Sequence, residues 1–493
     1  HLGVLTWILF ALLFAAGQQL DTETARATIA RAATGALAVI GVWSTWELAF
    51  GPPIDVSTTT DRLTGPYGSA AYLGASVCLL GPLVIGRAVR RDAPRTERGA
   101  AAAVALLGAV ALLGSGARAA WLGAAVTGVI VVVRRRPSRR TCAAVGAGAA
   151  VALVLLAPRL GDVTDRSAGA SSRVDEWTIA LRVVGRHPIA GVGSEGYRIA
   201  VAEGVDRHYE RIYGRDRVLP DRAHSGPIDV ALAGGVPAAL AQLALLAFVA
   251  RRAWRAFVGD PGLAALAAGV VAYAAQQLLL FPLAELDPIW WAFAGVLVVA
   301  SAPPPVVPVL ARQRRRIVGV VALAVSVVAL VAGVLDVAAD RLARSALRAD
   351  DPTVAVDDAR RAVDLRPDDL RYRMVAAVMH RDRRTLADVD AAIGQADAAL
   401  RWSPHDPVAG DQRASALTDR AVITGDPRDA RRALDEWSML VDRDPLRARW
   451  QLELGRAAAF AGAVELARRS WTTAADLDPR DPTASSLLEQ LGG

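Results

Sequence analysis

The sequence predicts an all-α protein in which a polytopic bundle of transmembrane helices precedes a soluble helical-repeat domain. The 493 residues are 53% hydrophobic and have a mean hydropathy of +0.31, which is high for a soluble protein of this size. Long apolar runs fill residues 1–338, and arginine clusters separate them at every second connection. Residues 339–493 are instead rich in Asp and Arg and repeat a proline-bearing turn.

Apolar runs of transmembrane length occur about ten times in the first domain, since a helix crosses a bilayer core with ~20 apolar residues. The predicted spans are 1–18, 29–49, 68–87, 99–115, 118–133, 141–157, 226–250, 262–282, 286–302 and 316–336. The chain begins at His1, inside an apolar run, with neither a Met nor a basic leader segment. We therefore expect it to be part of a longer protein, and the sequence leaves open whether further helices precede it.

Arginine clusters predict the orientation of these spans. The clusters occupy residues 87–98, 134–140, 251–255 and 312–316. They would share one face of the membrane, which the positive-inside rule assigns to the cytoplasm. The outer face would then hold residues 50–67, the turn at 114–118, the long loop 158–225 and the C-terminal domain. Since topology signals of this kind explain the net charge of +7, we do not expect a nucleic-acid partner.

Residues 339–493 predict a domain of tetratricopeptide-like repeats. The turn recurs as "DLRPDD" (364–369), "RWSPHDP" (401–407), "VDRDP" (441–445) and "DLDPRDP" (476–482). Its prolines are spaced by about 34 to 41 residues, close to the ~34-residue tetratricopeptide period. Concave surfaces of stacked repeats usually bind peptides or proteins, so we expect a protein partner. An irregular helical bundle is the alternative.

Arg118 is the one charge in the apolar stretch from Ala101 to Val133. The stretch is too long for one helix, and "GSG" divides it into two, which places Arg118 at the outer membrane surface. A charge beside the bilayer is costly unless it faces the bundle or a watery cavity. Arg118 either anchors a helix end by reaching into the interface or belongs to a functional site, and this stretch alone leaves both open.

Further polar residues are expected on the same outer face. Arg62 precedes a span, Arg173 begins an amphipathic helix, Glu195 follows the turn "HPIAGVG", and His224 stands just before the next span. The planar guanidinium suits phosphate oxygens, and histidine exchanges a proton near neutrality. Solvated loop arginines and a surface histidine are the ordinary alternatives. The sequence thus predicts an outer pocket for a diphosphate head group, like those that hold lipid head groups between spans.

Four stretches in order resemble a known family. They are "DRLTGPYGSAAYLG" (61–74), "GSGARAAWLG" (114–123), "SSRVDEWTIALRVVGRHPIAGVGSEGY" (171–197) and "RAHSGPIDVALAGGVPAAL" (222–240). Together they resemble the O-antigen ligase and polymerase superfamily, membrane glycosyltransferases that act on undecaprenyl-diphosphate-linked glycans. The resemblance covers roughly residues 1–335. Three positions depart from the family pattern: Ser69 and Ser225 stand where Asn is usual, and Ala117 stands where Ser is usual.

The resemblance implies a GT-C-like fold and an extracytoplasmic site in the cytoplasmic (inner) membrane. Arg118 and Arg173 would bind the donor pyrophosphate, and His224 would act at the transfer centre. Arg62 and Glu195 would be further substrate-binding residues. Glu195 would also be a second candidate base. We expect an inverting, metal-independent transfer without a cofactor, since the outer loops contain no Asp-x-Asp motif. The donor would be an undecaprenyl-diphosphate-linked glycan and the acceptor a glycan, lipid or protein, in the assembly of cell-envelope polysaccharide.

Two other functions remain open from the sequence. A transporter of lipid-linked sugar or of a small anion would also have many spans and charged groups. It would favour charges at mid-membrane and repeated halves, whereas the polar groups of this chain cluster on one face. A membrane-anchored repeat scaffold without catalysis is the third possibility, and it would tolerate replacement of Arg118. The patterns also leave open whether a transferase would act as a ligase or as a polymerase.

Overall fold

The chain folds entirely into helices over the part that the structure describes. The computed structural model describes residues 4–20, 23–53, 62–135, 168–215, 220–258, 260–301 and 312–492. These residues form twenty α-helices and two short 3₁₀ turns, without a strand, which confirms the predicted all-α class. The chain divides into two compact units. We call residues 1–196 with 222–308 the membrane unit, and residues 197–221 with 309–493 the repeat unit.

The membrane unit contains nine of the described helices. They are α1 (Val4–Gly17), α2 (Glu23–Phe50), α3 (Ala70–Ala88), α4 (Arg95–Gly114), α5 (Arg118–Arg135), α6 (Ala168–Arg186), α9 (Gly226–Ala256), α10 (Pro261–Gln276) and α11 (Asp287–Ala300). The 3₁₀ turns are Gly65–Tyr67 and Gln277–Leu279.

Several of these helices are suited to a membrane. Helices α2, α3, α4 and α9, and the stretch Pro261–Leu279, are long and apolar enough to cross one, and two shorter apolar helices occur at Thr6–Gly17 and Asp287–Ala300. These five candidates fit a multi-pass membrane protein. The predicted span at 141–157 lies outside the described residues.

Close helix packing in the membrane unit depends on glycines. A Cβ added to Gly269 of α10 would lie 2.3 Å from the carbonyl oxygen of Leu79 in α3. A Cβ on Gly123 of α5 would lie equally close, 2.3 Å, to the carbonyl oxygen of Ala272 in α10. Small residues let transmembrane backbones approach closely enough for dispersion contacts to hold helices together. Helix α10 is therefore held against both α3 and α5, the helix that begins with Arg118.

The repeat unit contains the remaining helices. They are α7 (Tyr197–Gly204), α8 (Arg207–Tyr213), α12 (Arg312–Arg348), α13 (Pro352–Leu365), α14 (Leu370–Asp382), α15 (Leu386–Trp402), α16 (Pro407–Thr424), α17 (Pro427–Arg443), α18 (Ala448–Phe460), α19 (Val464–Leu477) and α20 (Thr483–Gly492). From α12 onward each helix packs against the next one in the chain. The buried core is rich in alanine, with large side chains such as Trp437 filling the wider spaces.

The recurring turns of the sequence coincide with the helix junctions of this unit. Asp406 caps α16 by accepting hydrogen bonds from two backbone N–H groups, and Pro407 follows at the first helical position. Asp426 and Pro427 do the same for α17, with one backbone bond. An Asp cap followed by Pro suits a helix start because the cap satisfies a free N–H and Pro lacks one. The arrangement supports a stack of helical repeats, and its tetratricopeptide character stays a prediction.

Two features of the repeat unit were not anticipated from the sequence. The expected domain boundary at residues 338 and 339 falls inside the single helix α12, whose residues Ala339 and Ala343 are buried in the repeat core. The predicted last span and the first repeat helix are therefore continuous. In addition, residues 197–221, which the sequence assigned to the outer loop of the membrane domain, pack as part of the repeat unit.

The glycine contact of α10 predicts a specific sensitivity to side-chain size. We expect Gly269→Val to lower the free energy of unfolding by about 1–3 kcal/mol, the usual cost of overpacking, because the new side chain meets a backbone oxygen that cannot yield. Gly128→Val in α5 is the matched control, since a Cβ there meets nothing within 4 Å. Thermal unfolding in detergent measures both variants, and equal loss in the two would contradict the packing argument.

Candidate functional site

Glu47 organises the turn that contains Arg62. This side chain of α2 is only 7% exposed. Its carboxylate accepts hydrogen bonds from the backbone N–H of Thr64 at 2.8 Å, from the Thr64 hydroxyl at 2.9 Å and from the backbone N–H of Gly65 at 2.8 Å. A buried carboxylate is stable only when such donors replace water. The turn from Arg62 onward is therefore held at the end of α2.

The turn that contains Arg62 also holds the start of α5. The Arg62 Nε donates to the carbonyl oxygen of Ser115 at 2.7 Å, and the Leu63 N–H donates to that of Gly114 at 3.0 Å. Ser115 Oγ accepts from the N–H of Ala117 at 3.2 Å, and Arg118 then begins α5 with its side chain exposed. The predicted break at "GSG" thus separates α4 from α5.

The position of Arg118 favours an anion. A helix N-terminus has a partial positive charge and free backbone N–H groups. An arginine there adds its positive charge to the same end of the helix. Behind it the packing is tight, because a Cβ on Gly74 of α3 would lie 2.9 Å from the Cβ of Ala117 and 2.8 Å from that of Ala120. The start of α5 is therefore rigidly supported.

A second group of contacts joins the turn after α6 to a kink in α9. The N–H of Val192 donates to the carbonyl oxygen of Leu232 at 2.6 Å, and the N–H of Val236 donates to that of Pro188 at 2.8 Å. Gly235 interrupts α9 with a φ of 75°. A Cβ on Gly191, whose φ is +65°, would meet the Leu232 oxygen at 2.4 Å. The "HPIAGVG" turn and the "AGGV" kink are thus one interlocked element, and both glycines are required by it.

His224 lies just before α9 in an unusual backbone conformation. Its φ is 55°, and Glu195, at 61°, shares this left-handed region, which non-glycine residues rarely enter. The Asp229 carboxylate holds the strained residue by accepting from the N–H of Ala223 at 2.7 Å and from that of Ser225 at 3.3 Å. Strain of this kind persists only where its surroundings enforce it, and it is concentrated at functional sites.

The environment of the His224 ring keeps it neutral. Its Nδ1 is buried and has no hydrogen-bond partner among the described residues. Burial and the positive charges of Arg173 and Arg222 lower the pKa of His224 to about 4. The uncharged imidazole at neutral pH is therefore able to accept a proton.

Arg173 and Arg222 are themselves partly paired. Arg173 Nη1 lies 3.0 Å from Glu176 Oε2, one turn along α6. Arg222 Nη2 lies 2.9 Å from Glu195 Oε1. The structure therefore brings Arg173, Glu195 and His224 into one group, with Arg222 as an additional member.

Phe281 links this group to the start of α3. Its ring packs edge-on against His224, with ring centres 5.2 Å apart, and the Arg222 guanidinium lies over the same ring at 5.2 Å. Tyr72, in the first turn of α3, contacts Phe281 with ring centres 6.4 Å apart. Tyr72 follows the turn that contains Arg62, so these two aromatic residues connect the end of that turn with His224.

Sequence reasoning missed four residues of this arrangement: Glu47, Arg222, Asp229 and Phe281. Glu47 had a usable signal, since it is a lone carboxylate in an apolar run, as Arg118 is a lone arginine. Arg222 is two residues from His224. Asp229 had the same signal, as the one charge in the predicted span 226–250, whereas Phe281 gave none, because its role depends on contacts that the local sequence does not specify. Within the described ranges, no group of three or more His, Cys, Asp or Glu side chains is arranged to hold a metal ion.

Comparison with known protein families agrees with this geometry. Residues 103–243 match the family model described as O-antigen ligase. This match confirms the predicted resemblance over residues 103–243 and supports a glycosyltransferase-type role in polysaccharide assembly, while the repeat unit lies outside it. The matched O-antigen ligase region includes Arg118, Arg173, Glu195 and His224, whereas Arg62 precedes it. No curated protein matches this chain.

The Glu47 contacts predict local loosening when the carboxylate is removed. We expect Glu47→Ala to raise the hydrogen-exchange rate of the Thr64 and Gly65 amides by at least about tenfold, since each buried donor left without a partner costs about 1–3 kcal/mol. The exposed Glu23→Ala, in the same helix, is the control and should leave that exchange unchanged. Unchanged protection of both amides in Glu47→Ala would show that other contacts hold the turn.

Proposed function

We propose that this protein is an inverting, metal-independent glycosyltransferase. It would transfer a glycan from an undecaprenyl-diphosphate-linked donor to an acceptor hydroxyl at the outer face of the cytoplasmic membrane. The observation that supports this most directly is a strained, neutral His224 beside Arg173 and Arg222 in a region that matches O-antigen ligase. Arginine-rich connections at the opposite ends of the spans support the outer placement of the site.

The arginines are proposed to bind the donor diphosphate. Arg118 combines a guanidinium with a helix N-terminus, and both favour phosphate oxygens. Arg62 and Arg173 would supply further positive charge, while the lipid tail lies among apolar helices. As the bond to the sugar breaks, negative charge grows on the departing diphosphate. Guanidinium groups already held in place stabilise that charge without reorganising, which lowers the barrier.

His224 is proposed to accept the proton of the acceptor hydroxyl. The acceptor oxygen attacks the anomeric carbon, and the bond between that carbon and the diphosphate oxygen breaks, its electron pair leaving with the diphosphate. The hydroxyl proton passes to the imidazole. A bound diphosphate offsets the arginine charges that lower the pKa of His224, so donor binding would make this residue a stronger base. Glu195 would hold Arg222 through their ion pair, and it remains the second candidate base.

The repeat unit is proposed to be tetratricopeptide-like and extracytoplasmic, where it would recruit an acceptor or a partner protein. Its consecutive helix packing supports this. The acceptor would be a glycan, a lipid or a protein.

Substitution of the proposed site should abolish transfer without unfolding the protein. We expect Arg118→Ala, Arg173→Ala and His224→Ala each to lower the transfer rate by at least about a hundredfold, since loss of one preorganised charge stabiliser costs about 10²–10³ in rate. Purified protein in liposomes that contain a lipid-diphosphate glycan, with transfer followed by chromatography, provides the measurement.

Matched controls distinguish this proposal from its alternatives. Arg182→Ala changes an exposed arginine of the same helix as Arg173, and His208→Ala changes an exposed histidine of the repeat unit; both should retain transfer. Normal transfer by His224→Ala would remove that residue from the mechanism. Lipid translocation without transfer in the wild type would favour a transporter, and free replacement of Arg118 would favour a scaffold.

The lowered pKa of His224 predicts the pH dependence of transfer. Because the folded pKa is about 4, below the ordinary ~6.5, the imidazole stays neutral as pH falls through 6.5. We therefore expect kcat/KM to show no acid limb from this residue until pH approaches 4. Arg222→Gln removes one cause of the shift and should move the limb upward, towards 6.5. Because both proteins use the same donor, titration of the donor affects the two pH profiles equally. Profiles that coincide would show that Arg222 does not lower the pKa of His224.

A further inference from the structure

A segment of the predicted outer loop folds into the repeat unit. It comprises residues 197–221, with helices α7 and α8. Tyr197, Val201 and Tyr209 are 4%, 1% and 7% exposed, so the segment buries one face of its helices. The chain enters it directly after Glu195 and Gly196 and leaves it directly before Arg222. We call residues 197–221 the docked segment.

Arg215 anchors the docked segment. Its side chain is fully buried, and its Nε donates to Glu210 Oε2 at 2.6 Å. Its two terminal nitrogens donate to the two carboxylate oxygens of Asp444, at 2.7 and 3.0 Å. The other Glu210 oxygen accepts from the backbone N–H of Ala448 at 3.2 Å. A bidentate contact between arginine and carboxylate fixes the relative orientation of the two side chains. Removing either side chain leaves a buried charge uncompensated.

Further contacts, which are exposed to solvent, attach α8 to α19 and to the residues that follow α19. Arg207 Nη1 lies 2.7 Å from Asp476 Oδ2, and Arg211 Nε donates to the Asp476 carbonyl oxygen at 2.8 Å. Arg480 Nη1 donates to the carbonyl oxygen of Ile212 at 3.0 Å. The surface formed by these acidic and basic residues therefore already binds a segment of its own chain.

The two ends of the docked segment meet residues of the proposed transfer site. Glu195 and Arg222, the residues that flank it, form an ion pair with a distance of 2.9 Å. Gly196 is the single residue between Glu195 and α7, and a Cβ on it would lie 2.0 Å from the Val192 carbonyl oxygen. On the other side only Ala223 separates Arg222 from His224. On the Glu195 side, so short a connection passes a displacement of the segment to the left-handed Glu195, and through its ion pair to Arg222, two residues before His224.

We propose that Arg215 is a positioning residue for glycosyl transfer: by locking the docked segment into the repeat unit, it holds Glu195, Arg222 and His224 in their working conformation. This inference rests on the proposed function, because the group that is positioned is the proposed transfer site. It gives the repeat unit a role inside the enzyme, which is to hold the loop that leads into His224.

The test compares Arg215→Ala with Arg420→Ala in the full chain. Arg420 forms ion pairs with Asp390 and Asp429, all within the repeat stack, and serves as the matched control. We expect Arg215→Ala to raise hydrogen exchange of the Ala223 and Ser225 amides by at least about tenfold and to lower kcat more than it changes KM for the donor. Arg420→Ala should change neither quantity.

A chemical rescue separates positioning from simple loss of stability. In an Arg215→Ala background in which Cys78 and Cys142 are replaced by alanine, Arg211→Cys and Asp476→Cys place two thiols where an ion pair joins α8 to α19. A short bismaleimide should then restore protection of the Ala223 amide and restore transfer. If Arg215→Ala does not fold, Asp444→Asn, which keeps the arginine and removes one negative charge, replaces it.

Each result decides the proposal. Faster exchange within Arg207–Tyr213, combined with unchanged exchange at Ala223 and unchanged kcat, would overturn it, because the segment would then be anchored without affecting the site. Failure of the crosslink to restore either readout in a folded variant would also overturn it. If the wild type transfers no glycan, the proposed function fails separately, while the exchange measurements still decide whether Arg215 positions His224.

Discussion

Buried carboxylates hold the functional loops of this protein in place. Glu47 takes three donors from the turn of Arg62, and Glu210 and Asp444 together enclose Arg215. A carboxylate in such surroundings is tolerated only when donors surround it, and an uncompensated one would be very costly. Each therefore enforces one arrangement of the chain around it. Since most irregular segments of a membrane protein lack regular hydrogen bonding, these anchors decide where the loops lie.

The backbone of His224 is also held in place by a carboxylate. Asp229 holds the peptides on both sides of it, which sustains a φ of 55°. Phe281 packs against the ring, while burial and, in addition, neighbouring arginines lower the pKa of the imidazole and keep it uncharged. A neutral base beside guanidinium groups suits a reaction in which a proton is removed while negative charge develops on a leaving diphosphate. The same positive charges that weaken the base in the free protein would be offset once the donor is bound.

The proposed role of the docked segment changes how the two units are understood. A repeat domain attached by one linker would act independently of the transferase. In this chain residues 197–221 are grouped with the repeat unit, although their neighbours on both sides belong to the membrane unit. The chain therefore passes between the two units at residues 196 and 197, at 221 and 222, and at 308 and 309.

The sequence by itself determined the all-α class, most of the apolar helices, the break before Arg118 and the capped turns of the repeats. These features are local, because hydropathy, helix breaks and caps depend on neighbouring residues. Only the tertiary structure decided that Phe281 joins His224 to Tyr72, that Asp229 supports His224 and that Arg215 pairs with Asp444. Arg215 and Asp444 are 229 positions apart, and no local pattern specifies which distant groups packing will bring together to share a buried charge.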